Sequence, residues 1–278
     1  MNGQARWAVP WRRETGVWRD PGSGVIRTGI VLPTFREAPD DALEAAHHAF
    51  EAGVDGVFCY DHIWPLGEPD RPALAPFPIL AALAVSAEMP TTPGGGPYFG
   101  TLVARVGLVP NGVLLGQFRA LDLLAPGRII AGLGTGDRLS EAENRAYGIP
   151  FPPAAARRAD MVELGRALRA LGITVWVAGG PAARVVEARA VGAALNVWDA
   201  DPALVASRAQ GPEAVEVTWG GPPPRLGASL ETSILELVQA GATWAVFGWP
   251  VDPAALAAAA RGAGAVAARG AGEAAALS

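Results

Sequence analysis

The sequence predicts a (β/α)8 barrel. Three observations carry that reading: eight short apolar runs recur from residue 25 onward, helical patterns separate them, and most of the runs end in Gly or Pro. Buried parallel strands read as continuous apolar runs, and right-handed βα crossovers in this number close most naturally into a barrel. A doubly wound open sheet is the other topology the same elements permit.

The strand-like runs, in order, are VIRTGIVLP (25–33), GVFCYDHI (56–63), FGTLVARVG (99–107) and RIIAGLG (128–134), followed by TVWVAGG (174–180), ALNVWDA (194–200), AVEVTWGG (214–221) and WAVFGWP (244–250). Each is rich in Val, Ile, Phe or Trp, residues that suit a pleated, buried surface. Helical patterns such as DDALEAAHHAFEAG, PILAALAVSAEM, NGVLLGQFRALDLLAPG and AARVVEARAVG lie between them, giving eight helices to match. Several open on Asp, Asn or Ser, whose side chains accept from the free N–H groups of a first turn. Several close on Gly, which takes the left-handed conformation without steric cost. The chain therefore divides into a flexible extension over 1–24, a single barrel over 25–265 and a frayed tail over 266–278.

Bulk properties narrow the function. Half of the 278 residues are hydrophobic, enough for a large core, and the formal net charge of −5 argues against nucleic acid as a partner. All 22 basic residues are Arg. The single cysteine, Cys59, permits no internal disulfide and fits a reducing cytoplasm. Residues 1–24 lack the continuous apolar segment of a secretory signal, and no run reaches the roughly 18 apolar residues of a membrane span.

Catalytic groups of such barrels sit at the C-terminal ends of the strands. Those ends hold Thr34, Asp61, His62, Arg105, Asp137, Gly179, Gly180, Asp199 and Trp249. His62 is the candidate general acid or base, since imidazole changes protonation near neutral pH. His47 and His48 lie mid-helix and read as structural. No metal site is expected, because Asp61 and His62 with a distant Asp137 make a thin ligand set. Cys59 lies within its strand, where a thiol is inert. No Ser occupies a G-x-S-x-G turn.

Two glycine-rich stretches compete for an anion. GLGTGD (132–137) fails as a dinucleotide fingerprint, because Asp137 stands where the third glycine is required. Gly132 and Gly134 are read instead as letting backbone lie flat beside something broad. AGGPA (178–182) is the better phosphate turn: two glycines leave a strand, and Pro181 suits the first position of a helix whose N-terminus favours negative charge. Trp64, Trp198, Trp219 and Trp249 lie at or near strand ends and together suggest a pocket for a flat or apolar ligand.

YDHIWPLG, PILAALA, GTLVARVG, RIIAGLGTGD, NRAYGIPFPP and VWVAGGPA occur in this order over residues 25–262. As a set they resemble the luciferase-like monooxygenase superfamily, and within it the branch that uses the deazaflavin coenzyme F420. The resemblance implies an oxidoreductase that moves a hydride between F420 and a small organic substrate, and a homodimer. It implies a cofactor site of Asp61, Leu102, Val103, Ala104, Thr135 and Gly136 around the ring, with a non-prolyl cis bond at Leu102–Val103. Ala178, Gly179, Gly180, Pro181 and Ala182 then fall on the phosphate turn. His62 faces the reacting carbon, Asp137 donates a proton or anchors substrate, and Thr34, Trp64, Trp198 and Trp249 line the substrate pocket. Two alternatives stay open: an FMN-dependent monooxygenase using oxygen, and a flavin-binding barrel without turnover. The sequence departs from the family in lacking its long insertion before TVWVAGG. It also lacks a Lys to clamp phosphate, which leaves Arg105, Arg138 or Arg184 for that task.

Overall fold

The eight expected strands close into one parallel barrel in chain order, with the last pairing back onto the first. The structure, a computed structural model, describes residues 26–65, 67–86, 97–180, 182–210, 212–224 and 229–276. The extension assigned to 1–24 lies outside the described residues. The strands are β1 (Arg27–Val31), β2 (Gly56–Cys59), β3 (Tyr98–Arg105), β4 (Ile129–Gly134), β5 (Thr174–Ala178), β6 (Ala194–Trp198), β7 (Val217–Gly221) and β8 (Ala242–Gly248). The helices are α1 (Asp40–Glu51), α2 (Pro76–Val85), α3 (Asn111–Leu124), α4 (Arg138–Ala146), α5 (Ala154–Ala170), α6 (Ala182–Val191), α7 (Pro202–Ala209), α8 (Leu230–Ala240) and α9 (Pro253–Ala276). The described residues thus contain one helix more than the sequence reading counts. The extra element is α4, directly after the glycine-rich stretch. The terminal helix α9 runs to Ala276, past residue 265, where the reading ends the barrel.

Two apolar layers hold the barrel. The outer one joins the strands to the helices around residues such as Phe50, Leu80, Phe118, Leu164 and Phe247. The inner one fills the barrel with Val31, Phe58, Ile130, Trp176, Trp244 and Val246. Phe58 stacks on Trp176 at 5.1 Å between centroids and meets Trp244 edge-on at 5.9 Å. Its ring fits because Gly29 and Gly100 flank it: a Cβ at either place would lie 2.7 Å from the ring.

The β3–β4 seam carries the feature that shapes the mouth. Their register shifts between Thr101 and Ala104, so β3 bulges toward β4. A Cβ on Gly132 would strike the Thr101 carbonyl oxygen, and one on Gly134 would strike the Val103 side chain. The broad object these glycines accommodate is the bulge of the neighbouring strand. The Leu102–Val103 bond within it is cis, where the resemblance places such a bond. Strand β2 ends at Cys59, earlier than its apolar run suggests, which releases Tyr60, Asp61 and His62 into the loop above the barrel.

Candidate active site

Asp61 and His62 leave β2 together and are each held by a different partner. The Asp61 Oδ2 accepts from the Arg105 backbone N–H at 2.9 Å, tying the ends of β2 and β3. Burial pushes the Asp61 carboxyl above its usual range, against the opposing pull of the Arg105 N–H and guanidinium. The His62 Nδ1 lies 2.7 Å from Oε1 of Glu143 on α4. The other oxygen of Glu143 accepts from the Ile63 N–H at 2.8 Å and lies 3.2 Å from Arg105 Nη2. Glu143 is fully buried. Arg105 is buried too, and its Nη1 donates to the Ser140 carbonyl at 3.1 Å.

Glu143 was not singled out in the sequence, although a signal for it exists. The buried positions of α4 are Ser140, Glu143 and Asn144, a polar stripe at i, i+3 and i+4. A short helix that turns its polar face inward is organising something other than an apolar core. The same arrangement sets Arg105 apart from the exposed candidate phosphate clamp Arg138: it is buried beside Glu143 and Ser140, although its Nε and Nη2 make no hydrogen bond among the described residues.

Asp137 occupies a different place from the one expected of a proton donor. Its Oδ1 accepts from the N–H groups of Leu139 at 2.8 Å and Ser140 at 3.0 Å, and Ser140 Oγ bonds back to the Asp137 N–H at 3.2 Å. This reciprocal capping box starts α4. Partial burial works to raise the carboxyl, but the Ser140 and Leu139 hydrogen bonds outweigh it and hold the group below its usual value. Asp137 is therefore an ionised cap at neutral pH, suited to accept a hydrogen bond and unsuited to donate a proton.

On the far side of the glycine-rich loop, Arg157 holds the backbone: its Nε donates to the Thr135 carbonyl at 2.7 Å, and its guanidinium lies 3.8 Å over the Phe151 ring. Thr135 itself is buried and its Oγ1 accepts from Arg184 Nη2 at 3.0 Å. Arg184 also pairs with Glu187 and lies across Gly179, whose absent Cβ would sit 2.8 Å from the Arg184 Cγ. Gly179 has φ of 137°, which favours glycine. The turn Ala178–Gly179–Gly180 therefore has a cation laid over it, and α6 starts at Ala182. Pro181 lies outside the described residues. Arg208 Nη2 reaches the Gly180 carbonyl at 3.5 Å, and its buried Nε has no hydrogen-bond partner among the described residues. Of the three arginines considered, Arg184 is the one at the turn; Arg138 is the exposed first residue of α4.

The rim is aromatic, but not with the membership expected. Trp198 and Trp249 are 47% and 37% exposed. Trp198 stands edge-on to Tyr60 at 6.0 Å, Tyr60 stacks on Phe35 at 5.5 Å, and Phe35 lies 6.3 Å from the His62 ring. Tyr60 and Phe35 thus join the site, and burial pushes the Tyr60 phenol up to about 12. Trp64 is withdrawn from it, buried against Tyr147. Thr34 is likewise covered, at 1% exposure. Trp219 is buried, its Nε1 donating to the Ala200 carbonyl at 2.9 Å. Ala104 packs into the outer core, so only its backbone can serve the site, whereas Leu102 and Val103 belong to the inner cluster beneath the mouth. Asp199 is exposed at the end of β6. Cys59 is fully buried, which pushes its thiol well above its usual value. No cluster of three or more His, Cys, Asp or Glu among the described residues is placed to hold a metal ion. No described helix is long and apolar enough to cross a membrane.

No protein-family model matches the chain. A curated relative, the F420-dependent glucose-6-phosphate dehydrogenase of Beutenbergia cavernae, is 33% identical over 148 residues, which are 53% of this chain and 41% of the relative. The chain thus matches about two fifths of that relative's length. An F420-dependent secondary alcohol dehydrogenase solved with an F420–acetone adduct superposes with a TM-score of 0.64 at 15% identity, covering 84% of this chain and 97% of that one. The coenzyme F420-dependent tetrahydromethanopterin reductase of Methanopyrus kandleri does so with 0.61 at 13%, covering 85% and 98%. The (β/α)8 barrel is thereby the fold this chain shares with F420-dependent enzymes, and the resemblance to that branch is borne out by its relatives.

Proposed function

We propose that the protein is an F420-dependent oxidoreductase acting on a small organic substrate, with His62 handling the proton. The observation that carries this reading is the placement of His62: its Nδ1 is bound to a buried carboxylate at the rim of a barrel whose β5–α6 turn lies under Arg184. The residues fit such a coenzyme. Leu102 and Val103 offer an apolar shelf. Gly179 and Gly180, with Arg184 over them and the unpartnered Arg208 Nε nearby, offer donors to an acidic tail. When bound, F420 gives or takes a hydride; the protein orients substrate, shields the site and moves a proton at the imidazole.

The exposed Trp198 and Trp249 support an apolar or ring-shaped substrate. We propose further that the chain works in the cytoplasm as a homodimer, apart from nucleic acid. Its net charge of −5 and lone buried thiol support the location and the lack of nucleic acid, and the family resemblance supports the dimer.

The test is a fluorescence titration of purified protein with oxidised and reduced F420, with FMN titrated in parallel. Saturable binding of F420 is the expected outcome. Binding of FMN alone moves the reading to a monooxygenase, and binding of neither removes it.

A further inference from the structure

We infer that Glu143 is the positioning residue of His62: it locks the ring in the Nδ1–H form and leaves Nε2 as the atom that exchanges a proton with substrate. The inference rests on His62 being the proton-handling group of the proposed reaction.

The geometry leaves little choice. A carboxylate only accepts, so a neutral His62 bonded to Glu143 Oε1 at 2.7 Å must carry its proton on Nδ1. Glu143 is itself held by its neighbours. It is fully buried, and its Oε2 is shared by the Ile63 N–H and the Arg105 guanidinium. Arg105 is anchored in turn by its own bond to the Ser140 carbonyl, so α4, β3 and the β2 loop converge on one carboxylate. The other charged groups acting on the imidazole are Asp61, beside it in the chain, and Asp137 at the start of α4. Asp61 is bound to the Arg105 amide and Asp137 to the cap of α4, so neither replaces Glu143 at Nδ1. When Nε2 takes up a proton, the imidazolium forms against the Glu143 charge. Nothing is oxidised in this step; one proton moves between substrate and Nε2.

Glu143→Gln makes the role visible. The amide has one acceptor oxygen where the carboxylate has two. Facing that oxygen toward Ile63 keeps the Ile63 N–H bonded and keeps the amide NH2 away from the Arg105 cation, which turns the NH2 toward His62 and inverts its tautomer to Nε2–H.

The experiment uses the full chain without coenzyme. Nitrogen-15 spectra of the three histidine side chains are recorded above neutral pH, with the His62 signals identified by their loss in His62→Ala. The wild type is expected to show a protonated Nδ1 and an unprotonated Nε2, with the two exchanged in Glu143→Gln. Turnover with F420 should then fall about 10²- to 10⁴-fold in kcat, with coenzyme affinity little changed. Glu143→Asp, which keeps the charge, should retain the wild-type tautomer and part of the rate. A wild-type Nε2–H form overturns the inference and needs no variant to fold. So does a folded Glu143→Gln protein with unchanged tautomer and kcat. Failure of F420 to bind would instead sink the proposed function, leaving the spectra to judge Glu143 by themselves.

Discussion

The backbone N–H of Arg105 donates to the Asp61 carboxylate across 2.9 Å, while the Arg105 guanidinium faces Glu143 at 3.2 Å. One residue thus holds two acids apart at the mouth, with its main chain on one and its side chain on the other. Asp61 is taken out of water for one direct hydrogen bond, and burial raises its carboxyl against the pull of Arg105.

The raised Asp61 carboxyl predicts a pH dependence. With its folded value raised above the ordinary 3.8, Asp61 keeps a proton in the folded state at pH values where the unfolded chain has lost it. Its contribution to stability therefore falls as pH rises from about 3.8 through the folded value. Asp61→Asn retains an oxygen for the Arg105 N–H and removes the ionisation. Urea unfolding across a pH series should show Asp61→Asn gaining on the wild type as pH rises, with the gap closing near the acid end. A gap that widens on acidification would show that Asp61 is stabilised by its charge, against this account.

The bulge predicts a ranking of two substitutions. Gly132 faces a backbone carbonyl of Thr101, which cannot step aside without moving β3; Gly134 faces the Val103 side chain, which can rotate. Gly132→Ala should cost at least the 1–3 kcal/mol typical of overpacking, and Gly134→Ala less. Denaturant melts of both variants check the order. Equal or reversed losses would mean that the seam yields where the register shift says it is pinned.

How much of this was legible follows from what each element buries. The strands were, because a barrel strand covered on both faces must be continuously apolar, as IIAGLG and TVWVA are. Helix α4 was not, because its inward residues Ser140, Glu143 and Asn144 look like a solvated face when read by hydropathy. The end of β2 was overrun for a related reason: Tyr60 continues the apolar pattern, yet the β2–β3 ladder stops where Cys59 pairs with Thr101. Below the site, composition sufficed. Within it, polar residues take partners far along the chain, such as His62 with Glu143, and no periodicity records those pairings.

Asp137 shows the same limit and yields the next prediction. An acid after a glycine turn reads as chemistry, but its bonds to Leu139 and Ser140 make it a cap. Asn caps nearly as well as Asp, whereas Ala does not. Asp137→Ala should lose about 1 kcal/mol and loosen α4, with a secondary loss of turnover because α4 carries Glu143. Asp137→Asn should stay near the wild type in both respects. Thermal melts and steady-state rates of the pair decide it, since a proton donor at this place would make Asn as harmful to turnover as Ala.

Arg184 carries the last prediction, on how the barrel takes an acidic ligand. It lies over Gly179, bonds Thr135 Oγ1 at 3.0 Å and pairs with Glu187, so it is already oriented over the β5–α6 turn. A charge-assisted hydrogen bond from a preset guanidinium is worth roughly 1.5–3 kcal/mol, or about 10- to 100-fold in affinity. Arg184→Met keeps most of the packing on Gly179 and removes the charge. Its affinity for F420 should fall by that factor, and the decline of binding with added salt should become shallower than in the wild type. Gly179→Ala should mimic the loss without touching a charge, because the new Cβ at φ of 137° would push the Arg184 stem off the turn. Fluorescence titrations of all three proteins at low and moderate salt read both effects, and unchanged affinity in Arg184→Met would place the acidic tail elsewhere on the rim.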